Sequence, residues 1–431
     1  MMKRYLYLPK QYDLVVGDTF ELFYRGLVNF LTIDGYDFEL FYEDRKNRGQ
    51  GFAHKYIFTP TEADIGDHLL HIRLWNNEGD VLEEGSVKIH VCPPPKSPAE
   101  EKVVLLIGAS DASPGVWPSE VGRRMVGVGG KPEGYALENI SFIGSLSCEG
   151  IRYEGYGGWS FTSYSTENKL NSFMILEGDF SDKEESVDQH STYTDANGMI
   201  WKLESISKNK MKIICRSAFG KLPSLDGGRL VHESGGKNTG DVVYTSATRA
   251  DSNPFWNSAL GRNDFVSYAR RFGKEKIDEI VVTLTWNSHY LTSEAYLECI
   301  QKFAASVHAD FPKCHISFAG AIYPARDGFA QNYGISWGWF PKVTTMRAFD
   351  DLKIAMAEED PARFSFIHIS SQYDVAHNCV SAEFDANVRN DTKIVLGSNG
   401  LHISKMGSRQ VSDAIVRHLC ARLHESDITE K

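Results

Sequence analysis

The chain has little of what would fix its chemistry at a glance, and each absence removes a class of function. Its seven cysteines, at positions 92, 148, 215, 299, 314, 379 and 420, include no CxxC pair. That scatter fits reduced thiols, not a disulfide framework or a zinc site. No apolar run approaches the length of a membrane span. The start, from Met1 to Lys10, carries basic residues but no apolar core and no small-residue cleavage site, so a cytoplasmic protein is expected, with a trimmed secreted protein as the alternative. Positive charge is in deficit: 46 Lys and Arg stand against 57 Asp and Glu, a net charge of -11. Neither nucleic acid nor an anionic membrane is therefore an expected partner. No Walker loop or GxGxxG cradle follows the first strong strand, and no nucleotide or other cofactor is expected.

What remains is an ordinary globular composition, 42% hydrophobic and 24% charged, over 431 residues, enough for two or three domains. Residues 1–92 read as a small all-β domain of short alternating runs between turn signals. Val87 to Val91 alternates as a half-buried strand should. Asp64, Gly66 and His68 resemble the Asp-x-Gly-x-Tyr corner of immunoglobulin-like sandwiches, with His in the Tyr position. Residues 93–101, with Pro93, Pro94, Pro95 and Pro98, form a stiff linker. From residue 102 to 431 buried strands alternate with helical stretches, which predicts an α/β domain with a mostly parallel sheet. Strands are expected at Val103–Ile107, Ile140–Ile143, Ile280–Leu284, His315–Ala319 and Ile394–Leu396. Helices are expected at Ser119–Met125, Ser293–His308 and Met406–Leu423. Residues 178–248 are polar, glycine-rich and locally β-like, and read as a β-rich insertion, with a turn from Tyr193 to Gly198.

The apolar run Val103–Ile107 ends in Gly108-Ala109-Ser110-Asp111. Open α/β sheets place ligands at the carboxyl ends of their strands, where Ser110 is a candidate nucleophile. A serine hydroxyl needs a base. His402, in the loop Asn399-Gly400-Leu401-His402, can take its proton near neutral pH. An acyl-transfer oxyanion needs donors: the N–H groups of Ser110 and Gly158 and the side-chain amide of Asn287 are candidates. Alone, Ser110 also reads as a helix cap, Gly158 as a turn and Asn287 as a strand-end cap.

The order Ser110, Gly158, Asn287, His402 resembles the four blocks of the SGNH (GDSL-type) hydrolases, over roughly Lys102 to the C-terminus. The phrases Tyr153 to Trp159, Asn253 to Trp256 and Asp327 to Gly334 resemble members acting on carbohydrate esters. The resemblance implies a flavodoxin-like three-layer domain, Ser110 as nucleophile, His402 as base, and Ser110, Gly158 and Asn287 as the oxyanion hole. The sequence departs from the family at three places. The acidic residue, Asp111, follows the serine; Ser288 replaces the Asp after the third-block Asn; and Asn399 stands where the family has the Asp that orients the histidine. In serine proteases the analogous Asp-to-Asn change lowers turnover about ten-thousand-fold. Three readings stay open: Asn399 or a backbone carbonyl orients His402 in a working dyad, Asp111 or Asp374 supplies the charge, or the site is impaired.

Aromatic residues crowd these blocks: Trp159, Trp256, Trp286, Tyr333, Trp337, Trp339 and Phe340. Flat apolar faces suit sugar rings, though large aromatics also fill cores. Trp159, Trp256, Trp286 and Trp337 are the candidate substrate contacts. The expected function is a serine esterase removing O-acetyl groups from sugars or oligosaccharides. The alternatives are a carbohydrate-binding pseudo-esterase, or a lipase or lysophospholipase of the same fold. A metallohydrolase on His368, Asp374 and His377 matches no standard ligand spacing, and no metal is expected. Homo-oligomerisation stays open.

Overall fold

The computed structural model describes the chain except residues 1–3, 29, 31–32, 167–172, 184–190, 216–223, 225, 251–252, 258, 324, 326–338 and 430–431. Two compact units divide it. One comprises Met1–Lys102, Glu120–Ser141 and His315–Lys431; the other comprises Val103–Ser119 and Phe142–Cys314.

In the first unit, four strands lie in the order Gln11–Val15, Val81–Cys92, Gly66–Asn76, Tyr36–Tyr42. The first pair is parallel and the others antiparallel. A second, antiparallel sheet joins Phe20–Phe23, Lys55–Phe58 and Gln50–Gly51. Alternation sends Leu70, Ile72 and Leu74 inward, and they meet Phe20, Leu22 and Phe58 from the other sheet in one core. His68 Nε2–H donates to the Asp64 carbonyl at 2.7 Å.

The remainder of this unit is α/β. Strands His315–Ala319 and Phe364–Ile367 pair in parallel, with the helix Trp339–Glu359 between them in sequence. The chain closes with the helix Lys405–Thr429. Buried Arg124 bridges Asp18 of the β module and Asp413 of that helix, at 3.2 and 2.7 Å. The expected strand Ile394–Leu396 exists, but not as a buried strand. It lies in Asn390–Gly397, paired only with Ser381–Asn387 in a two-stranded hairpin where Val395 is 65% exposed. An apolar triplet reports strand propensity, not burial.

In the second unit the strand Lys102–Gly108 is flanked on both sides by parallel partners. Ile107 and Gly108 pair with Glu154 and Gly155 of Ile151–Gly155; Val104 to Ile107 pair with Glu279–Val282. Val103 to Ile107 are at most 4% exposed, as a strand covered on both faces must be. The helix Ser293–Asp310 starts at Thr292, whose hydroxyl accepts the Ala295 N–H at 3.2 Å. Seven antiparallel strands between Phe173 and Ala250 form a separate sheet with its own core around Tyr193, Trp201, Leu203 and Ile213. The turn between its strands Thr192–Thr194 and Ile200–Ile206 is pinned by Asp195. One carboxylate oxygen accepts the N–H groups of Asn197 and Met199, and the other accepts Trp201 Nε1–H at 3.0 Å.

Candidate active site

Three of the singled-out residues leave the same edge of the second unit's sheet. Ser110 follows the strand Lys102–Gly108, Gly158 follows Ile151–Gly155, and Asn287 follows Glu279–Val282. Because the three strands are adjacent and parallel, with Gly108 opposite Gly155 and Ile107 opposite Val282, their carboxyl ends line up. This is where an open α/β sheet exposes its ligand crevice.

Local sequence holds each loop. A Cβ at Gly108 would come within 2.5 Å of Ala112 Cβ and 2.7 Å of Thr283 Oγ1, so only glycine fits beneath the turn. Ser110, half-buried, sits on that turn. Asp111 clamps it: Oδ1 accepts the Ala109 N–H at 2.9 Å, and Oδ2 accepts the Thr283 hydroxyl at 2.6 Å and Trp117 Nε1–H at 3.1 Å. Burial raises the Asp111 pKa, against the pull of those hydrogen bonds. Both oxygens are thus committed to holding the turn, which explains an acidic residue after the serine. Thr283 is a site residue that motif reading passes over. Its signal is a hydroxyl interrupting the apolar run from Ile280 to Leu284.

Gly158 has φ +83°, a left-handed conformation that glycine adopts freely and other residues do not. Asn287 Nδ2 donates to the Trp159 carbonyl at 2.9 Å, joining the second and third blocks. An amide nitrogen carries two hydrogens, so one N–H beyond this bond is left to donate. Asn287 sits in the 3-10 turn Trp286–Ser288.

Beneath the second block lies Glu154, buried and bonded to the hydroxyls of Tyr156 and Tyr268, each at 2.6 Å, and to the Ser145 N–H at 2.7 Å. Burial raises its pKa above the ordinary carboxylate range, outweighing these bonds. A raised folded-state pKa means that the folded protein holds the proton more tightly. The contribution to stability is full below the unfolded pKa and is lost as pH rises through the folded one. Melting temperature is therefore expected to fall less steeply above about pH 4.5 in Glu154→Gln than in the parent. An unchanged slope in thermal scans from pH 4 to 8 would remove Glu154 from this role.

Asn399 and His402 belong to the first unit. Asn399 Oδ1 accepts the N–H groups of Leu401 and His402, at 2.8 and 3.0 Å. Its side chain therefore shapes the backbone that carries His402. A bridge between Cys379 and Ile403 pins the other side of the half-buried histidine. Asp374 Oδ2 pairs with His377 Nδ1 at 2.8 Å, and its Oδ1 caps the Ala376 and His377 N–H groups. Among the described residues no group of three or more His, Cys, Asp or Glu is gathered to hold a metal ion, and His368 is bonded to Tyr12 and Ser371.

The aromatic residues divide. Trp159 is 1% exposed and packs on Tyr156 and Tyr164, with ring centroids 4.4 and 4.8 Å apart, so it is core and not a sugar platform. Trp256 and Trp286 are half-buried. Tyr333 and Trp337, with the whole phrase from Asp327 to Gly334, lie outside the described residues, as do the side chains of Trp339 and Phe340.

No family model and no curated protein matches the chain. Among solved structures it is similar to a peptidoglycan O-acetylesterase, at 10% identity over 76% of this chain and 92% of that one, TM-score 0.29. It is also similar to a carbohydrate esterase family 2 enzyme with a carbohydrate-binding domain from Corynascus thermopiles (Myceliophthora fergusii), at 11% identity over 97% and 99%, TM-score 0.29. A third is an active-site mutant of a family two carbohydrate esterase from Clostridium thermocellum, at 9% identity over 96% and 94%, TM-score 0.29. None reaches 25% identity or a TM-score of 0.5, so none assigns an activity to this chain.

Proposed function

We propose that the chain is a serine esterase of SGNH type that removes O-acetyl groups from sugars or oligosaccharides through an acyl-enzyme on Ser110. The observation that carries this reading is the alignment of Ser110, Gly158 and Asn287 at the carboxyl ends of three adjacent parallel strands, with Asn287 tied to the backbone beside Gly158. A nucleophile and donors on rigid strand ends are what acyl transfer needs. In this reading His402 takes the Ser110 proton as Oγ attacks the acetyl carbon. The N–H groups of Ser110 and Gly158 and the Asn287 amide receive the oxyanion. His402 then protonates the leaving sugar hydroxyl, and water attacks the acyl-enzyme with His402 again as base.

A large apolar acyl site has no support in the polar, glycine-rich segment inserted between residues 178 and 248, so short acyl groups are favoured. Acetate release from acetylated xylo- and manno-oligosaccharides should exceed release of palmitate from its p-nitrophenyl ester by at least ~100-fold. A preference for palmitoyl esters would falsify the carbohydrate reading.

The Asn399 turn gives a second test. Aspartate accepts the same two N–H groups, so Asn399→Asp keeps the loop and adds a negative charge to it. Its kcat is expected to equal or exceed that of the parent; a large loss would sink the dyad. Asn399→Ala frees both N–H groups and is expected to lower kcat about tenfold or more, since hydrogen bonds of this kind contribute roughly 1 kcal/mol each. A sugar-binding protein with an impaired site is the second reading, favoured because an amide stands where a carboxylate would stabilise the imidazolium. Binding of acetylated oligosaccharide with no acetate release would select it.

A further inference from the structure

The first unit contains a second arrangement of catalytic type that neither the four blocks nor the proposed function uses. A cavity of about 370 Å³ opens at the amino ends of the strands His315–Ala319 and Phe364–Ile367. Its wall includes Asp13, His315, Ser365 and His418, set among Ile354 and Phe366. Asp13 comes from the strand Gln11–Val15 and His418 from the closing helix Lys405–Thr429.

The hydrogen bonds run in one line. His418 Nδ1–H donates to Asp13 Oδ2 at 2.6 Å. This leaves Nε2 as an acceptor, 2.8 Å from Ser365 Oγ. Ser317, directly across the strand pair from Ser365, lies 2.9 Å from its Oγ and 3.1 Å from His418 Nε2. The second imidazole repeats the tautomer. His315 Nδ1–H donates to the Ala362 carbonyl at 3.1 Å, and its Nε2 stands 3.0 Å from Ser365 Oγ. The Ser365 hydroxyl therefore faces two basic ring nitrogens, one of them backed by a carboxylate. Burial opposes the charge on Asp13, but its bond to His418 holds the pKa below the usual range, so the carboxylate stays ionised behind the ring. Ser365 is half-buried and lines the cavity, while His418 and Asp13 behind it are 8% and 12% exposed.

We propose that Asp13, His418 and Ser365 form a second nucleophilic site, which takes small esters of short carboxylic acids. Ser365 Oγ bonds to the acyl carbon and the ester C–O bond breaks. The Ser365 proton passes to His418 Nε2 and on to the leaving alkoxide, and water, deprotonated by His418, releases the acid. The cavity matches the lower end of small-molecule sites in size, with room for a phenyl ester but not an oligosaccharide chain.

Diisopropyl fluorophosphate tests this directly, because its adduct needs only an activated hydroxyl. The Oγ–P bond forms, the P–F bond breaks, fluoride leaves, and the proton goes to His418. The full-length Ser110→Ala protein removes the first nucleophile, and intact mass with peptide mapping locates the adduct. One adduct is expected on Ser365, absent after Ser365→Ala in the same background. His418→Gln and Asp13→Asn are expected to slow its formation at least ~100-fold and ~10-fold, with unchanged far-ultraviolet circular dichroism. If His418→Gln does not fold, Asp13→Asn carries the test. No adduct at Ser365 at saturating reagent, or equal labelling with and without His418, overturns the proposal. Because the label is mapped, an inert Ser110 and an inert Ser365 give different results.

Discussion

Ser110→Ala is expected to reduce kcat/KM for an acetyl ester about 10⁴-fold or more, with the melting temperature almost unchanged. Removing the hydroxyl removes the covalent route, while the oxyanion donors and the binding surface remain, which in serine hydrolases leaves only residual catalysis. In free energy this is a loss of about 5.5 kcal/mol of transition-state stabilisation. The turn itself is held by Asp111 and fitted by Gly108, not by the Ser110 side chain, so stability should not follow activity. Steady-state rates on p-nitrophenyl acetate and an acetylated oligosaccharide, read beside a thermal melt, separate the two. If Ser365 adds a background rate, it appears on p-nitrophenyl acetate and not on the oligosaccharide. Equal oligosaccharide activity in both proteins would take Ser110 out of the mechanism.

Asn287→Ala is expected to lower kcat by about 10²–10³ with little change in KM, the signature of a donor used in the transition state. A structural effect accompanies the chemical one, because the Asn287 amide also fastens the Trp159 carbonyl. Asn287→Asp distinguishes the two. A carboxylate retains the size of the side chain but offers no N–H, and it faces the Trp159 carbonyl with like partial charge. Its loss should therefore equal or exceed that of alanine. Recovery of activity with Asn287→Gln would point to the N–H as the element that matters. A rise in KM with kcat preserved in Asn287→Ala would assign the residue to substrate binding instead.

The strand that leads to Ser110 was legible because its signals are local. Val103 to Ile107 is an uninterrupted apolar run, and a run of that length ending in small residues reads as a strand covered on both faces whatever its neighbours are. The turn from Tyr193 to Gly198 was legible for the same reason, its Asp and Gly serving the turn directly. Burial was less legible than structure. Trp159 looks like a sugar platform in the sequence and is packed between tyrosines; Ile394–Leu396 looks like a core strand and lies in an exposed hairpin. The helix Trp339–Glu359 was hidden because its inner face carries Arg347, Asp350 and Lys353, all at most 3% exposed. Lys353 is bonded to Asp350 at 3.1 Å and to the Ala319 carbonyl at 3.0 Å, so charge stands where a helical pattern expects apolar residues. The Ser365 constellation left no trace at all. Its members come from four segments that meet only in three dimensions.

Each compact unit is assembled from separate stretches of chain, and this ordering has a consequence for biosynthesis. The apolar core of the β module lies within residues 6–91 and is complete early. The groups that satisfy its buried polar atoms are not: the Tyr12 hydroxyl waits for Ser371 and His368, Asp13 for His418, and the Gly26 carbonyl for Arg347. At ribosomal rates of about 5–20 residues per second, that wait lasts tens of seconds. The nascent module thus spends its first half-minute with polar atoms and strand surface that only the last quarter of the chain can cover.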